Sequence, residues 1–321
     1  MRASRVVAGA AILVAAVALQ LLGANPAVSQ SPELVAWAAG DPGLDPEAAI
    51  WRDIPPLEVP LSAQGTTYPM STRSVPMLRA RAIVNRGVLY VRVDWDDQTR
   101  DDMSARVDAF ADAVAIELPS NAASSVPSVC MGQADTGVSI WQWRADSERD
   151  VQAAVAAAFP GGYVDIAPGL GDLSFPARAV GNPYAASGAG PVQDLIATGF
   201  GTLGPAAVQT VRGRGVWHQG SGWAVVFARP FAAPGPDQPT LRLHDVSDLA
   251  LAVWDGSQGD RNGKKSVSSF VRLVLSGAVF PPIRVNQQNP PPIIWVLAVA
   301  PFAAFALFGA VALGRSLRRP R

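Results

Sequence analysis

The chain reads as an all-β protein: an antiparallel β-sandwich with long loops and a few short helices, followed by one C-terminal transmembrane helix. Three observations predict this. Short runs of alternating apolar and polar residues recur through the middle of the chain, each bounded by Gly, Pro, Asp or Ser. The 321 residues include 28 prolines and 29 glycines, and few stretches sustain a helical period. Finally, "IIWVLAVAPFAAFALFGAVAL" at 293–313 runs for 21 residues without a charge, long enough to cross a bilayer.

Taken in order, the first segment carries arginines at 2 and 5, an apolar run at 6–22 and then small residues, with Ala27-Val28-Ser29 as a cleavage site. That order predicts a signal peptide over 1–29. The body, 30–285, opens its strands with "RARAIVNRGVLYVRVDWDD", two strands about the turn "NRG", with Leu89, Val91 and Val93 sharing a face. "DAVAIELP", "VSIWQWRAD", "GWAVVFARPF", "DLALAVWDG" and "SFVRLVLS" are further strands. Helices are expected at 149–159 and, briefly, in "GPVQDLIATGFG". The connection from about 160 to 215 is too long for a plain turn, and long loops on a sandwich usually carry function. "NQQNPPP" at 286–292 reads as a stiff stalk before the span. Arg315, Arg318, Arg319 and Arg321 follow the span. The positive-inside bias therefore puts the tail, 314–321, in the cytoplasm and the body on the extracytoplasmic side.

Composition removes several functions. Formal net charge is zero, which gives no electrostatic reason to expect nucleic acid. Cys130 is the only cysteine, so there is no disulfide scaffold, and neither a C-x-x-C-H haem attachment nor a Cys/His zinc cluster. The histidines, His218 and His244, lie near no G-x-S-x-G elbow; they read as turn and surface residues, and a hydrolase lacks its constellation. Asp94, Asp96, Asp97, Asp101 and Asp102 cluster in "DWDDQTRDD". They read chiefly as turn caps, with one able to bind a cation such as Ca²⁺. Trp141, Trp143, Trp217, Trp223 and Trp254 lie in or beside strands, where they fill the core, line a flat cofactor or stack on a sugar.

Two residue types point towards haem. Met131 sits in a Gly- and Asp-containing connection just before a strand, and a thioether can ligate haem iron. Of the 26 basic residues, the only lysines are Lys264 and Lys265, side by side in "GDRNGKKSVSSF". A lysine can donate a lone pair once deprotonated, whereas arginine stays protonated. Two adjacent solvated lysines explain the pair equally well.

"CMGQADTGVSIWQWRAD", "DLIATGFGTL", "GRGVWHQGSGWAVVFARPF" and "LALAVWDGSQGDRNGKKSVS", in that order, resemble the haem-binding subunit family of periplasmic molybdenum enzymes. These are the γ subunits of ethylbenzene and dimethylsulfide dehydrogenases and the matching subunits of selenate and chlorate reductases. The similarity spreads over about 51–275. It implies a sandwich holding one non-covalent haem b, with Met131 and Lys265 as axial ligands and Lys264 as the alternative to Lys265. It also implies an electron-transfer subunit without turnover of its own. Its partners would be a molybdopterin catalytic subunit, an iron–sulfur subunit and a cytochrome or quinone-linked carrier. The familiar members are soluble, whereas this chain is expected to be anchored. The expected span holds no His, Met or Lys, so no haem is expected inside the membrane. The competing reading is a membrane-anchored β-sandwich module for carbohydrate, with tryptophans as its platform.

Overall fold

A computed structural model describes residues 32–65, 74–103, 107–120, 131–133, 136–148, 190–232, 235 and 237–279. The chain divides into two units, Met1–Phe280 and Pro281–Arg321, and every described residue belongs to the first. The expected signal peptide, the helix at 149–159, the stalk, the span and the tail all lie outside the described residues, as does Cys130. Among the described residues, no helix is long and apolar enough to cross a membrane.

The described residues of the unit form thirteen strands: β1 Glu33–Ala38, β2 Leu57–Ala63, β3 Met77–Asn85, β4 Val88–Trp95, β5 Ala113–Pro119, β6 Val138–Arg144, β7 Val192–Ala197, β8 Gly204–Pro205, β9 Arg212–His218, β10 Gly222–Pro230, β11 Val246–Trp254, β12 Ser266–Ser268 and β13 Val271–Val279. Described helical structure is limited to a single α turn, Ala145–Glu148, and the 3-10 turns Ala49–Arg52 and Gly256–Gln258. The hairpin β3–β4 closes as its sequence demands. Asn85 faces Val88, leaving Arg86 and Gly87 as the two-residue loop, both at positive φ (45° and 76°). That is the turn whose twist matches a hairpin.

The strand path runs β8-β7-β6-β5-β11-β12-β2-β3-β4-β10-β9, and two strands fold it into layers. In β2, the first half pairs with β3 and the second half with β12. In β11, Val246 to Leu249 pair with β13, whereas Ala250 to Trp254 pair with β5. These corner strands turn the path back on itself, the way sandwiches pass chain from one sheet to the other. Alternate residues of both layers then meet in one core: Val91, Val93 and Phe227 from one side, Val114, Ile116 and Trp141 from the other. All six are fully buried.

The all-β expectation holds, with two corrections. "GPVQDLIATGFG" is not a helix. Its apolar Val192, Leu195 and Ile196 fit a helical period, but 192–197 pair antiparallel with β6 on one side, and β8 pairs with Leu195 and Ile196 on the other. Glycines at 199 and 201, both at positive φ, stop the segment after six residues, too short for a stable helix. In addition, β1 runs parallel to both β3 and β13, so pairing is mainly rather than wholly antiparallel. Such pairs need long connections, and β13 closes the domain far downstream of β1.

Candidate functional site

Alternation sends one set of side chains on β5, β6, β7 and β11 into the core and the other set to the opposite face of the same layer. That second face carries its own apolar cluster. Ala113 and Ala115 on β5, Val138 and Ile140 on β6, Leu195 and Ala197 on β7, and Trp254 on β11 are buried there, with Met131 and Ala252 packed against them. Ala252 pairs with Ala115, so the middle of this face is floored by methyl groups. Short side chains at the centre, with Val138, Ile140, Leu195 and Trp254 around them, give this face a flat apolar surface.

Met131 reaches this face from the turn before β6. Its own φ is 76° and that of Gly132 is 74°, two successive left-handed residues. Gln133 and Thr136 then exchange backbone hydrogen bonds of 3.1 and 2.9 Å, which fixes the turn. Gly132 is required: a Cβ there would lie 2.6 Å from the Thr136 carbonyl oxygen. A bulky residue is thus held in an unusual conformation by its surroundings, a pattern that concentrates at functional sites.

Lys265 arrives from the other side, immediately before β12. Its carbonyl accepts from the Gln64 amide at 3.1 Å, and Nζ lies 4.8 Å from the Trp254 ring centroid. Glu117 joins the two candidates. It lies on the same face of β5 as Ala113 and Ala115, and its carboxylate accepts from the Met131 amide and feels the Lys265 charge. Burial, only partly offset by these two neighbours, pushes its carboxyl up to about 8. Its Oε1 is buried without a hydrogen-bond partner. No sequence signal singled out Glu117; an acid among alternating Ala, Val and Ile of a buried strand is the nearest thing to one.

Lys264 points elsewhere. Its Nζ donates to the Gln258 carbonyl and lies 3.6 Å from Asp260 Oδ1, while its backbone pairs with Arg261 across a tight turn. It ties down the β11–β12 loop.

The remaining candidates separate cleanly. Trp141, Trp143 and Trp223 are buried and offer no surface for a sugar. Trp143 and Trp223 meet edge to face, 4.9 Å apart, beside Trp95. Trp217 is half-buried and its indole N–H donates to the Asp97 carbonyl. His218 ends β9, with Nε2 3.5 Å from Glu47. His244 is exposed, at φ 71°, and its ring covers Gly277. Of the five clustered aspartates, Asp94 pairs with Arg81 and Arg92, Asp96 with Arg79, and Asp102 with Arg100.

A family model described as ethylbenzene dehydrogenase matches residues 48–266, from before β2 to the first residue of β12. Among curated proteins, the chain is 27% identical to a "Putative respiratory nitrate reductase heme subunit ORF7" of Haloferax mediterranei, over 92% of this chain and 88% of that one. It is 27% identical to the chlorate reductase subunit gamma of Ideonella dechloratans, over 77% of this chain and 84% of that one. It is 26% identical to the dimethylsulfide dehydrogenase subunit gamma of Rhodovulum sulfidophilum, over 74% and 78% respectively. With more than half its length matched by one family model, including the strands that build the alanine-floored face, this chain belongs to the ethylbenzene dehydrogenase family, whose relatives here are γ and haem subunits.

Proposed function

We propose that this chain is the haem b electron-transfer subunit of a membrane-tethered, outward-facing molybdenum oxidoreductase complex. It relays single electrons between an iron–sulfur subunit and a membrane or soluble carrier, and the molybdenum chemistry belongs to a partner. The observation that carries the reading is the convergence of Met131 and Lys265 on one alanine-floored sheet face, either side of Glu117. The donor set suits the group: a thioether and an amine are both ligands for haem iron, and the flanking surface is apolar.

Bound haem supplies the exchange of one electron at iron. The chain's own residues do the rest. The left-handed turn at 131–132 holds the thioether against the cluster. The Trp254 ring steadies the Lys265 side chain, whose Nζ must give up its proton to offer a lone pair. Ala113, Ala115 and Ala252 would present the macrocycle with short apolar side chains, and Ile140, Leu195 and Val138 would exclude water from it, lowering the local dielectric that tunes the potential. Met131 and Lys265 would hold the iron, and two protein ligands would suit a group that exchanges electrons rather than one that takes a substrate.

The carbohydrate reading loses its platform, because four of its five tryptophans, Trp141, Trp143, Trp223 and Trp254, are buried. The test is to purify the full chain, supply haem, and record its pyridine haemochrome and visible spectra. One haem b per chain with sharp reduced bands is expected. A folded chain that stays colourless after supplementation overturns the proposal.

A further inference from the structure

We propose that Asp97, Asp112 and Asp255 bind one Ca²⁺ ion that ties together the loop after β4, the residue before β5 and the residue after β11. The three are far apart in sequence, yet each offers a carboxylate oxygen within 4.8 Å of the others'. Oxygens that close can share a single cation, since Ca²⁺–O bonds run at ~2.3–2.6 Å. The register explains the meeting: Trp254 pairs with Ala113, which sets Asp255 beside Asp112, and the chain leaving β4 brings in Asp97.

The independent sign of a ligand is an orphaned atom. Asp97 is only 5% exposed. Its Oδ1 accepts from the Thr99 amide and hydroxyl, but its Oδ2 is buried without a hydrogen-bond partner, the Trp95 indole lying near without completing a bond. An ionised oxygen placed like that is costly unless a cation meets it. Among the described residues, no Lys or Arg pairs with any of the three. The nearby arginines 79, 81, 92 and 100 are taken by Asp96, Asp94 and Asp102.

Existing partners leave room for an ion. Asp112 is fully buried; its Oδ1 accepts only from the Gly256 amide, at 2.9 Å, and Oδ2 from the Asp101 amide and the Trp223 indole. Asp255 uses Oδ1 for Ser257 and the Gln258 amide. Nearly every donor is a backbone or hydroxyl group that holds the carboxylates in place, as in oxygen-cage sites for hard cations. Burial chiefly, and the neighbouring carboxylate second, raises the carboxyls of Asp97 and Asp112, Asp255 acting on Asp97 and Asp97 on Asp112; the site itself rests on the geometry.

The experiment uses the full chain, stripped with chelator and titrated calorimetrically with CaCl₂ across the ~10⁻⁷–10⁻³ M range of protein Ca²⁺ sites, with MgCl₂ in parallel. One Ca²⁺ per chain is expected, binding at least tenfold tighter than Mg²⁺ and raising the melting temperature. Asp97→Asn should fold, since Asn retains the oxygen that Thr99 uses, and should weaken Ca²⁺ at least tenfold. Asp255→Asn should do the same, whereas Asp96→Asn, whose carboxylate is exposed and paired with Arg79, should bind as wild type does. No Ca²⁺ uptake by the wild-type chain overturns the site. So does unchanged affinity in both the Asp97 and Asp255 variants. Preference for Mg²⁺ overturns the assignment to Ca²⁺.

Discussion

Lys265 Nζ lies 4.8 Å from the Trp254 ring centroid, whereas Lys264 Nζ turns back to the Gln258 carbonyl and Asp260. Adjacent side chains near a strand start point to opposite faces, so sequence neighbours acquire separate tasks. The proposed ligand role makes a specific demand on Lys265. Lys265→Arg keeps a cation over Trp254 but offers no lone pair; the variant should fold with near wild-type stability and lose the low-spin haem spectrum. Retention of that spectrum would show that charge rather than the amine is needed. Gly132 makes a second demand. At φ 74° with the Thr136 carbonyl 2.6 Å from a would-be Cβ, Gly132→Ala should cost about 1–3 kcal/mol in urea unfolding and weaken haem retention by displacing Met131. Stability equal to wild type would contradict the described turn.

Elements were legible where alternation was strong. The β3–β4 hairpin follows from apolar residues at 89, 91 and 93 flanking a turn with two left-handed residues, and β5, β6, β10, β11 and β13 read equally well. β7 misled because Val192, Leu195 and Ile196 fit the helical period, while the strand is buried on both faces and so shows no alternation; only its neighbours β6 and β8 decide it. The aspartate cluster was legible as one with an acid able to bind a cation, but not which acid or with which partners, since Asp112 and Asp255 come from other loops. Glu148 shows how an element end is locked. Its Oε2 accepts from the Trp143 indole at 2.7 Å and the Gly215 amide at 2.9 Å, joining the Ala145–Glu148 turn to β6 and β9. Burial, the largest influence, raises its carboxyl above the ordinary 4.5. The folded state therefore holds the proton more readily than the unfolded chain does. The resulting stabilisation is complete below about pH 4.5 and is lost as pH rises through the folded pKa. Glu148→Gln keeps an oxygen for both donors and removes the ionisation. Compared with wild type, its melting temperature should improve progressively from pH 4 to pH 8; a constant difference across that range would contradict the burial argument.

At the scale of the molecule, two corner strands fold one continuous path into two layers, and the layers divide the labour. The inner faces make the core; the far face of the β5–β6–β7–β11 layer carries Met131, Glu117, Lys265 and the alanine floor. Family resemblance in the sequence named Met131 and Lys265, but not the surface between them. Its alanines look like ordinary small strand residues until Ala252 is seen beside Ala115. The anchoring half of the proposal rests on 293–313, outside the described residues. Membrane fractionation of cells expressing the full chain and a chain ending at residue 285 should find the first in the membrane and the second released in soluble form. Equal partitioning of the two would remove the tether. The central claim, iron held between Met131 and Lys265, is reached most directly by the low-spin spectrum of the haem-loaded chain in three variants. Met131→Ala and Lys265→Ala should each abolish or shift it, and Lys264→Ala should leave it as in wild type. An unchanged spectrum in both the Met131 and Lys265 variants would contradict the account.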